Sequence, residues 1–402
     1  MFVGRVDELK TIEQCLFQAK NSNPQHFLAQ GERGIGKSSL LFYVEMLAKG
    51  EIKAFTGISF NFLVVSVDLG GCSTQFEIIR KLGRGMRQAL SDHQAAKEAA
   101  KDFFNWILNW EILGVKYNKE KVEVDAEQIA DDLVNQFVDF CNETRGLLDG
   151  IVILIDEADR PDADAGLGEF LKLLAERLSK RHCHNVLFGL AGLPTLLGKL
   201  RASHESSPRL FHTLLLEPLE VEERKSVVRI CLEDAKGRNG FETTITPEAL
   251  GFLADLSEGY PHFVQQFAYC AFDQDSDNVI DEEDVGEGAY KDGGALSQLG
   301  DKFFNEMYHA RISSEDYRRV LDVMADYGDT WVTRKKIIAE ADVSEANVNN
   351  ALQTLKGKGI IIQDETRRGF YRLPTNSFAA WINAIRAARS KSDALQGDLF
   401  TG

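Results

Sequence analysis

The nine residues Gly31–Ser39, GERGIGKSS, constrain this chain more than any other stretch. Their spacing is G-x-x-x-x-G-K-[ST], and they stand between an apolar run, HFLAQ, and a helical pattern, LLFYVEMLAKG. Glycines at 31, 34 and 36 let a loop turn tightly with its N–H groups pointing inward at phosphate oxygens. A helix beginning at Lys37 adds its positive N-terminal end to the same anion. In that geometry Lys37 reaches the β- and γ-phosphates of a nucleoside triphosphate, and the Ser38 hydroxyl holds Mg²⁺. The expected cofactor-binding segment is the whole loop: Gly31, Glu32, Arg33, Gly34, Ile35, Gly36, Lys37, Ser38 and Ser39. The bland alternative is a glycine-rich turn that merely precedes a helix. It loses weight because strand, loop and helix follow in the required order.

A second stretch, GIVILIDEAD, places five apolar residues before Asp156 and Glu157. A buried strand ending in two acids brings both carboxylates to the C-terminal edge of a parallel sheet, where ligands of α/β folds sit. Asp156 is the expected Mg²⁺ partner, and Glu157 the group that polarises a water for in-line attack on the γ-phosphate.

The apolar runs His26–Gln30, Phe62–Leu69, Ile151–Ile155, Val186–Leu190 and Thr213–Leu216 read as buried parallel strands separated by helices. Residues 1–218 are therefore expected to form an α/β core with a parallel sheet. From Glu220 to about Tyr290 the strands stop and helical patterns take over, which suggests a helical domain over 219–293. A third unit is expected over 294–389, with a loose tail at 390–402. At 402 residues the chain has room for two or three domains. Its composition, 44% hydrophobic and 27% charged, is that of a globular protein. No apolar run is long enough to span a bilayer, and MFVGRVDELK is too charged for a secretion signal, so a cytoplasmic location is expected. The net charge of −16 disfavours a surface that coats nucleic acid throughout. Residues 331–372 depart from this, with eight Lys/Arg against five Asp/Glu.

Taken together, these motifs resemble the AAA+ ATPases, in the branch that includes archaeal origin-recognition initiators, transposition-regulator ATPases and STAND signalling ATPases. FVGRVDEL at 2–9 resembles the opening box of that branch, and the resemblance implies that Val3 and Gly4 lie near the adenine. GERGIGKSS and LIDEAD match its Walker A and Walker B motifs. SPRLFHTLLLEPL at 207–219 resembles the segment carrying an arginine finger, which implies Arg209, with Arg201 in reserve, acting in trans within a homo-oligomer. SEGYPHFVQQFAY resembles the lid helix whose start, Tyr260, Pro261 and His262, touches the base. GLAGLPTLLGKL falls where the fourth strand and a polar sensor 1 residue belong, but it offers Ala191 and Gly192, with Thr195 the nearest hydroxyl. His262 follows the lid proline, and no sensor 2 arginine is present there. Both departures fit slow or partner-stimulated hydrolysis of ATP to ADP.

Residues 314–373 read as helix, helix, helix, hairpin, the order of a winged helix, and resemble the C-terminal domain of the initiator branch. In such a domain the third helix enters the major groove of double-stranded DNA and the wing reaches a phosphate. Asn347, Asn349, Asn350 and Gln353 suit adenine edges, and Arg367 and Arg368 at the wing tip suit phosphates. Winged helices also serve as protein-contact modules, which leaves a STAND-like ATP/ADP switch acting on a partner protein as the alternative. A metabolic kinase with the same loop is a distant third, since it has no use for a lid and a winged helix. DQDSDNVIDEED imitates a calcium loop, but Asn278 stands where glycine is wanted, so it reads as an acidic connector. The neighbouring His182, Cys183 and His184 cannot all face one metal from regular structure. Lys37 and Asp156 lie 119 positions apart, so an insertion is expected at about 92–128, perceived as a helix and a hairpin rich in aromatics.

Overall fold

The computed structural model describes residues 2–99, 126–305, 314–364 and 367–386, together with 101, 103, 105, 308 and 312. Most of the expected insertion, with both its tryptophans, and the tail from 390 lie outside the described residues. The chain divides into two compact units, Phe2–Glu217 and Pro218 onward.

The first unit is built on a five-stranded sheet: β1 His26–Gln30, β2 Phe62–Asp68, β3 Gly150–Asp156, β4 Val186–Gly192 and β5 Phe211–Leu215. The order is β2-β3-β4-β1-β5, and every pairing is parallel. β1 and β4 are buried along their whole length, which explains why both read as unbroken apolar runs with no alternation. The register aligns Gln30 with Gly192 and Asp68 with Asp156, so these strands end together at one edge. Packed on the sheet is the helix Lys37–Ala48, which buries Leu40, Leu41, Val44, Leu47 and Ala48. It stops at Gly50, whose φ of +76° suits glycine. There the Gly50 N–H donates to Leu47 O and the Glu51 N–H to Met46 O, closing the helix as a Schellman turn. Phe103, inside the expected insertion, is buried against Phe137 and Phe140 of the helix Ala126–Glu143.

In the second unit, the helices Val221–Asn239, Pro247–Leu256, Pro261–Gln274 and Glu282–Tyr290 form the helical part. Thr246 caps Pro247–Leu256 by accepting from the Ala249 N–H. One expectation is corrected here. The strands do not stop after Glu220, because Thr244–Ile245 (β6) and Val279–Ile280 (β7) pair in parallel. These are two residues each, too short for any periodicity to show. The pseudo-calcium loop is accounted for by the same turn. Asp275 Oδ1 accepts from the N–H groups of Asp277, Asn278 and Val279, and Asp281 caps the helix Glu282–Tyr290.

The winged helix follows as the helices Glu315–Ala325, Arg334–Glu340 and Glu345–Gly357, with β8 Val332–Thr333, β9 Ile362–Gln363 and β10 Phe370–Arg372. Its antiparallel sheet has the order β8-β10-β9, so a third strand joins the expected hairpin. Ser344 caps the third helix by accepting from the Asn347 N–H. A last helix, 376–386, carries Phe378 and Trp381 into a cluster with Phe304. Among the described residues no helix is long and apolar enough to cross a membrane.

Glu258 ties the helical part to this last helix. Its Oε1 accepts from the Ser377 N–H at 2.6 Å, while Oε2 is buried without a hydrogen-bond partner among the described residues. Burial, reinforced by the negative charge of Asp329, pushes the Glu258 carboxyl up to about 7, against the opposing N–H groups of Ser377 and Asn376. Between the ordinary carboxyl range and pH 7 the folded state therefore holds a proton that the unfolded state has lost, so this group lowers stability as pH rises. Glu258→Gln keeps an acceptor and removes the charge. The variant is expected to exceed the parent in stability by about 2–3 kcal/mol above pH 7, with the gain shrinking toward zero near about pH 4.5. Urea denaturation at both ends of that range checks this, and a gain independent of pH would contradict it.

Candidate nucleotide site and C-terminal groove

The glycine-rich loop leaves β1 at Gln30 and enters its helix at Lys37. Gly34 and Gly36 have φ of +78° and +100°, a region that side-chain-bearing residues rarely occupy. Gly31 is packed tightly instead: a Cβ there would stand 2.8 Å from Ile35 Cγ2 and 3.0 Å from Leu216 O. Within the loop the Lys37 ammonium donates to Gly31 O and Glu32 O, both at 2.8 Å. Burial pushes its pKa below lysine's usual range, while the charges of Asp159, Asp156 and Glu32 oppose that shift. Ser38 and Ser39 are exposed.

Ser38 Oγ donates to Asp156 Oδ2 at 2.5 Å, so the two expected Mg²⁺ partners already meet. Asp156 Oδ1 accepts from the Glu157 N–H at 2.8 Å. Glu157 adopts φ of +49°, an uncommon conformation for a non-glycine residue, as the chain turns off β3. Its carboxylate pairs with Arg160 at 3.2 Å and stands beside Gly70, where a Cβ would come within 2.7 Å of Oε2. Asp68 Oδ1, which accepts from the Gly70 N–H, lies at the same turn.

Two residues that sequence reasoning passed over complete this region. Arg5 is buried, and its guanidinium donates to Ile35 O at 3.2 Å, tying the opening box of Val3 and Gly4 to the phosphate loop. Arg5, the last residue of FVGR, was the available signal. Asp159 is 7% exposed, and its Oδ1 accepts from the Leu193 N–H at 2.9 Å. It was legible only as the last acid of DEAD. At the end of β4, where a polar side chain was sought, Gly192 has no room for one. A Cβ there would lie 2.8 Å from Asp159 Oδ1 and 2.9 Å from Leu196 Cδ2. Thr195 is exposed.

Arg209 lies on the short helix Ser207–Leu210 before β5, exposed and with no ion pair among the described residues. Arg201 is exposed as well. In the second unit, Tyr260 caps the helix Pro261–Gln274 and stacks on Phe263 at 5.0 Å. His262 packs on Phe303, and burial, with Lys302 nearby, lowers its pKa.

The winged helix carries a groove of about 960 Å³ between its third helix and its wing. Gln353, Lys356, Lys335 and Arg368 contribute to its lining. Asn350, Gln353 and Arg368 are exposed, as expected. Asn347 and Arg367 are exposed too, and Asn347, Asn349 and Arg367 each bond a neighbour within the domain. Asn347 donates to Asp316 at 2.8 Å, and Asn349 is half-buried and accepts from Arg334 at 2.6 Å. Arg367 pairs with Asp364 at 2.6 Å and lies over the rings of Phe370 and Trp331. Glu345, which pairs with Arg334, also lines the groove, and Asp364 holds Arg367 on the wing.

Comparison with known proteins places this geometry in context. Residues 1–188 match the family described as AAA ATPase domain. A curated relative, an uncharacterized HTH-type transcriptional regulator of Methanocaldococcus jannaschii, is 26% identical over 272 residues, or 65% of this chain. The chain spans about three fifths of that relative's length. Among solved structures, the Walker-type ATPase of Pyrococcus abyssi superposes with a TM-score of 0.58 at 15% identity, covering 95% of this chain and 96% of its own. The ORC2 protein of Aeropyrum pernix, in ADPNP–ADP complexes, gives 0.56 at 14% identity, covering 96% of each chain. At these identities the likeness is one of fold: a parallel α/β core, a helical lid and a C-terminal region with a small antiparallel sheet.

The crowding at Gly192 has a direct consequence. Installing a polar side chain there, as in Gly192→Asn, is expected to cost about 1–3 kcal/mol of stability, because Asp159 and Leu196 must be displaced. Denaturant unfolding of the variant tests this, and an unchanged midpoint would mean the β4 edge has room after all.

Proposed function

We propose that this chain, whose residues 1–188 match the AAA ATPase domain, is a Mg²⁺-dependent ATPase whose nucleotide state controls assembly and contact with double-stranded DNA. The observation that carries the reading is the meeting of Ser38 and Asp156 at 2.5 Å beside the Lys37 ammonium at the sheet's C-terminal edge. Residues 1–218 would be the nucleotide-binding core, 219–293 the lid, 294–389 the winged-helix domain and 390–402 a tail.

The donor set fits the ion. A hydroxyl and a carboxylate are hard oxygen ligands, and Mg²⁺ takes one or two protein oxygens and leaves its other positions to phosphates and water. When bound, the ion neutralises charge on the phosphates. Lys37 gives up its two loop carbonyls to hold the β- and γ-phosphates. Glu157 exchanges Arg160 for the attacking water and polarises it. Val3 and Gly4 of the opening box lie near the base. Arg209 is exposed and unpaired among the described residues, which suits a finger that stabilises charge in a neighbouring copy's site.

For DNA, support comes from the winged-helix order, the groove lined by Lys335, Lys356, Gln353 and Arg368, and the HTH-type name of the M. jannaschii relative. A partner protein in place of DNA is the second reading. The engagement of Asn347, Asn349 and Arg367 within the domain favours it, since a DNA-reading face would have to release them.

Fluorescence anisotropy of a labelled duplex decides between the two, with ATP, ADP or no nucleotide and with Glu157→Gln holding the ATP state. Binding is expected in the ATP state and should weaken as salt rises. Arg368→Ala and Lys356→Ala should each reduce affinity by roughly threefold to tenfold through a lost phosphate contact. Absence of binding in every nucleotide state would remove DNA from the proposal and leave the partner-protein reading.

A further inference from the structure

We infer that Asp159 reads the terminal phosphate in this site, and that its carboxylate makes the site favour a nucleoside diphosphate over a triphosphate. The inference rests on the nucleotide reading above and goes further by assigning the preferred state and the residue that sets it.

The edge of β4 has no side chain to offer a phosphate, because it ends in Gly192. The place a side chain would take is filled by Asp159 Oδ1, which would lie 2.8 Å from a Cβ at 192. This carboxylate is fixed rather than mobile. It accepts from the Leu193 N–H at 2.9 Å, and its backbone carbonyl accepts from the Lys199 ammonium at 2.8 Å. The same ammonium also donates to Pro161 O and to Asp162 Oδ1, both at 3.2 Å, so one cation gathers three groups of the turn after β3. The edge is joined to the phosphate loop by its backbone. The Gly31 N–H donates to Gly192 O at 3.3 Å, and Gln30 Nε2 donates to Pro194 O at 3.1 Å. Asp159 thus stands where β4 meets the first glycine of the loop. Its charge is the leading one that opposes the effect of burial on the Lys37 ammonium, ahead of Asp156.

A neutral amide or hydroxyl at this place would donate to a γ-phosphate oxygen. A carboxylate has no proton to donate and repels the group, in a buried setting where the repulsion is poorly screened. A diphosphate escapes that repulsion because it lacks the terminal group. A cation supplied by a second copy, Arg209 in the reading above, would offset it. The triphosphate state would then be favoured only in an assembly, which couples nucleotide state to association without a polar side chain on β4.

The test is calorimetric titration of the full chain with Mg²⁺ and either ADP or the β,γ-imido analogue of ATP, at protein concentrations that keep it unassembled. The unaltered chain is expected to bind ADP about tenfold more tightly than the analogue. Asp159→Asn keeps an acceptor for the Leu193 N–H and removes the charge. It should tighten the analogue by about the same factor and leave ADP within about twofold. Asp159→Ser provides a second neutral variant with the same expectation. A preference of the unaltered chain for the triphosphate analogue would overturn the inference, even if neither variant folds. So would a ratio unmoved by both substitutions. If the unaltered chain binds neither nucleotide, the nucleotide reading itself falls, and the inference with it.

Discussion

The hydrogen bond from Ser38 Oγ to Asp156 Oδ2 joins two strands that are not neighbours. β1 and β3 are separated by β4, and the loop after β1 must cross the end of β4 for its helix to meet the acid on β3. That crossing is possible because β4 ends in glycine and its last carbonyl accepts from the Gly31 N–H. It also depends on register: Gln30, Asp156 and Gly192 end their strands at one edge. A shift of one residue in β3 would turn Asp156 to the other face of the sheet and break the contact. The parallel sheet, the glycine at the end of β4 and the acid at the end of β3 are therefore one arrangement, not three separate features.

Charge at this edge is unevenly distributed. Asp68, Asp156, Glu157 and Asp159 converge on it, and the cations that answer them are Lys37, Arg160 and Lys81. Lys37 is held on the loop's own carbonyls, Arg160 lies against Glu157, and Lys81 donates to Asp68 O and Gly70 O. Each of these cations is already engaged by a group of the protein. In the proposed function Lys37 must leave its two loop carbonyls for phosphate, and Glu157 must leave Arg160 for water.

The core was legible because parallel strands buried on both faces leave continuous apolar runs. His26–Gln30 was read to the residue, and the other four strands to within two residues at each end. Lys37, Ser38 and Asp156 were legible as a group because the loop and the acidic strand end are each short, local patterns. Arg5 and Asp159 were not, since their roles depend on contacts with residues 30 and 34 positions away. β6, β7 and β8 are two-residue strands that exist only through their pairing, and a two-residue stretch carries no period. The engagement of Asn347, Asn349 and Arg367 was hidden for a similar reason. The residue types suit DNA, but Asp316 and Arg334 reach Asn347 and Asn349 through tertiary packing, and Asp364 reaches Arg367 across the wing turn.

The second unit raises the question of how a turn and a wing within it can influence each other. Gly259, at φ of +83°, is pressed against Leu219, whose N–H donates to Gly259 O, so the turn before Tyr260 has little freedom. Next to it, Glu258 is itself in the left-handed region and holds the N-terminus of the helix 376–386, with Ser377 Oγ also donating to Leu256 O. That helix carries Trp381 into the cluster with Phe304 and Tyr308 and bonds the first helix of the winged helix through Arg386 and Asp326. A rearrangement of the Tyr260–Pro261–His262 turn therefore cannot stay local. It must either break a buried carboxylate's bond to a helix N-terminus or carry that helix, and the winged helix packed on it, along. Buried polar groups that lose a partner cost more than exposed ones, so the Glu258 bond to the helix N-terminus resists being broken. Glu258 is one of several links between the lid turn and this helix, beside the Ser377 Oγ bond to Leu256 O and the contact of Phe263 with Phe304, and it is the one that carries a buried charge.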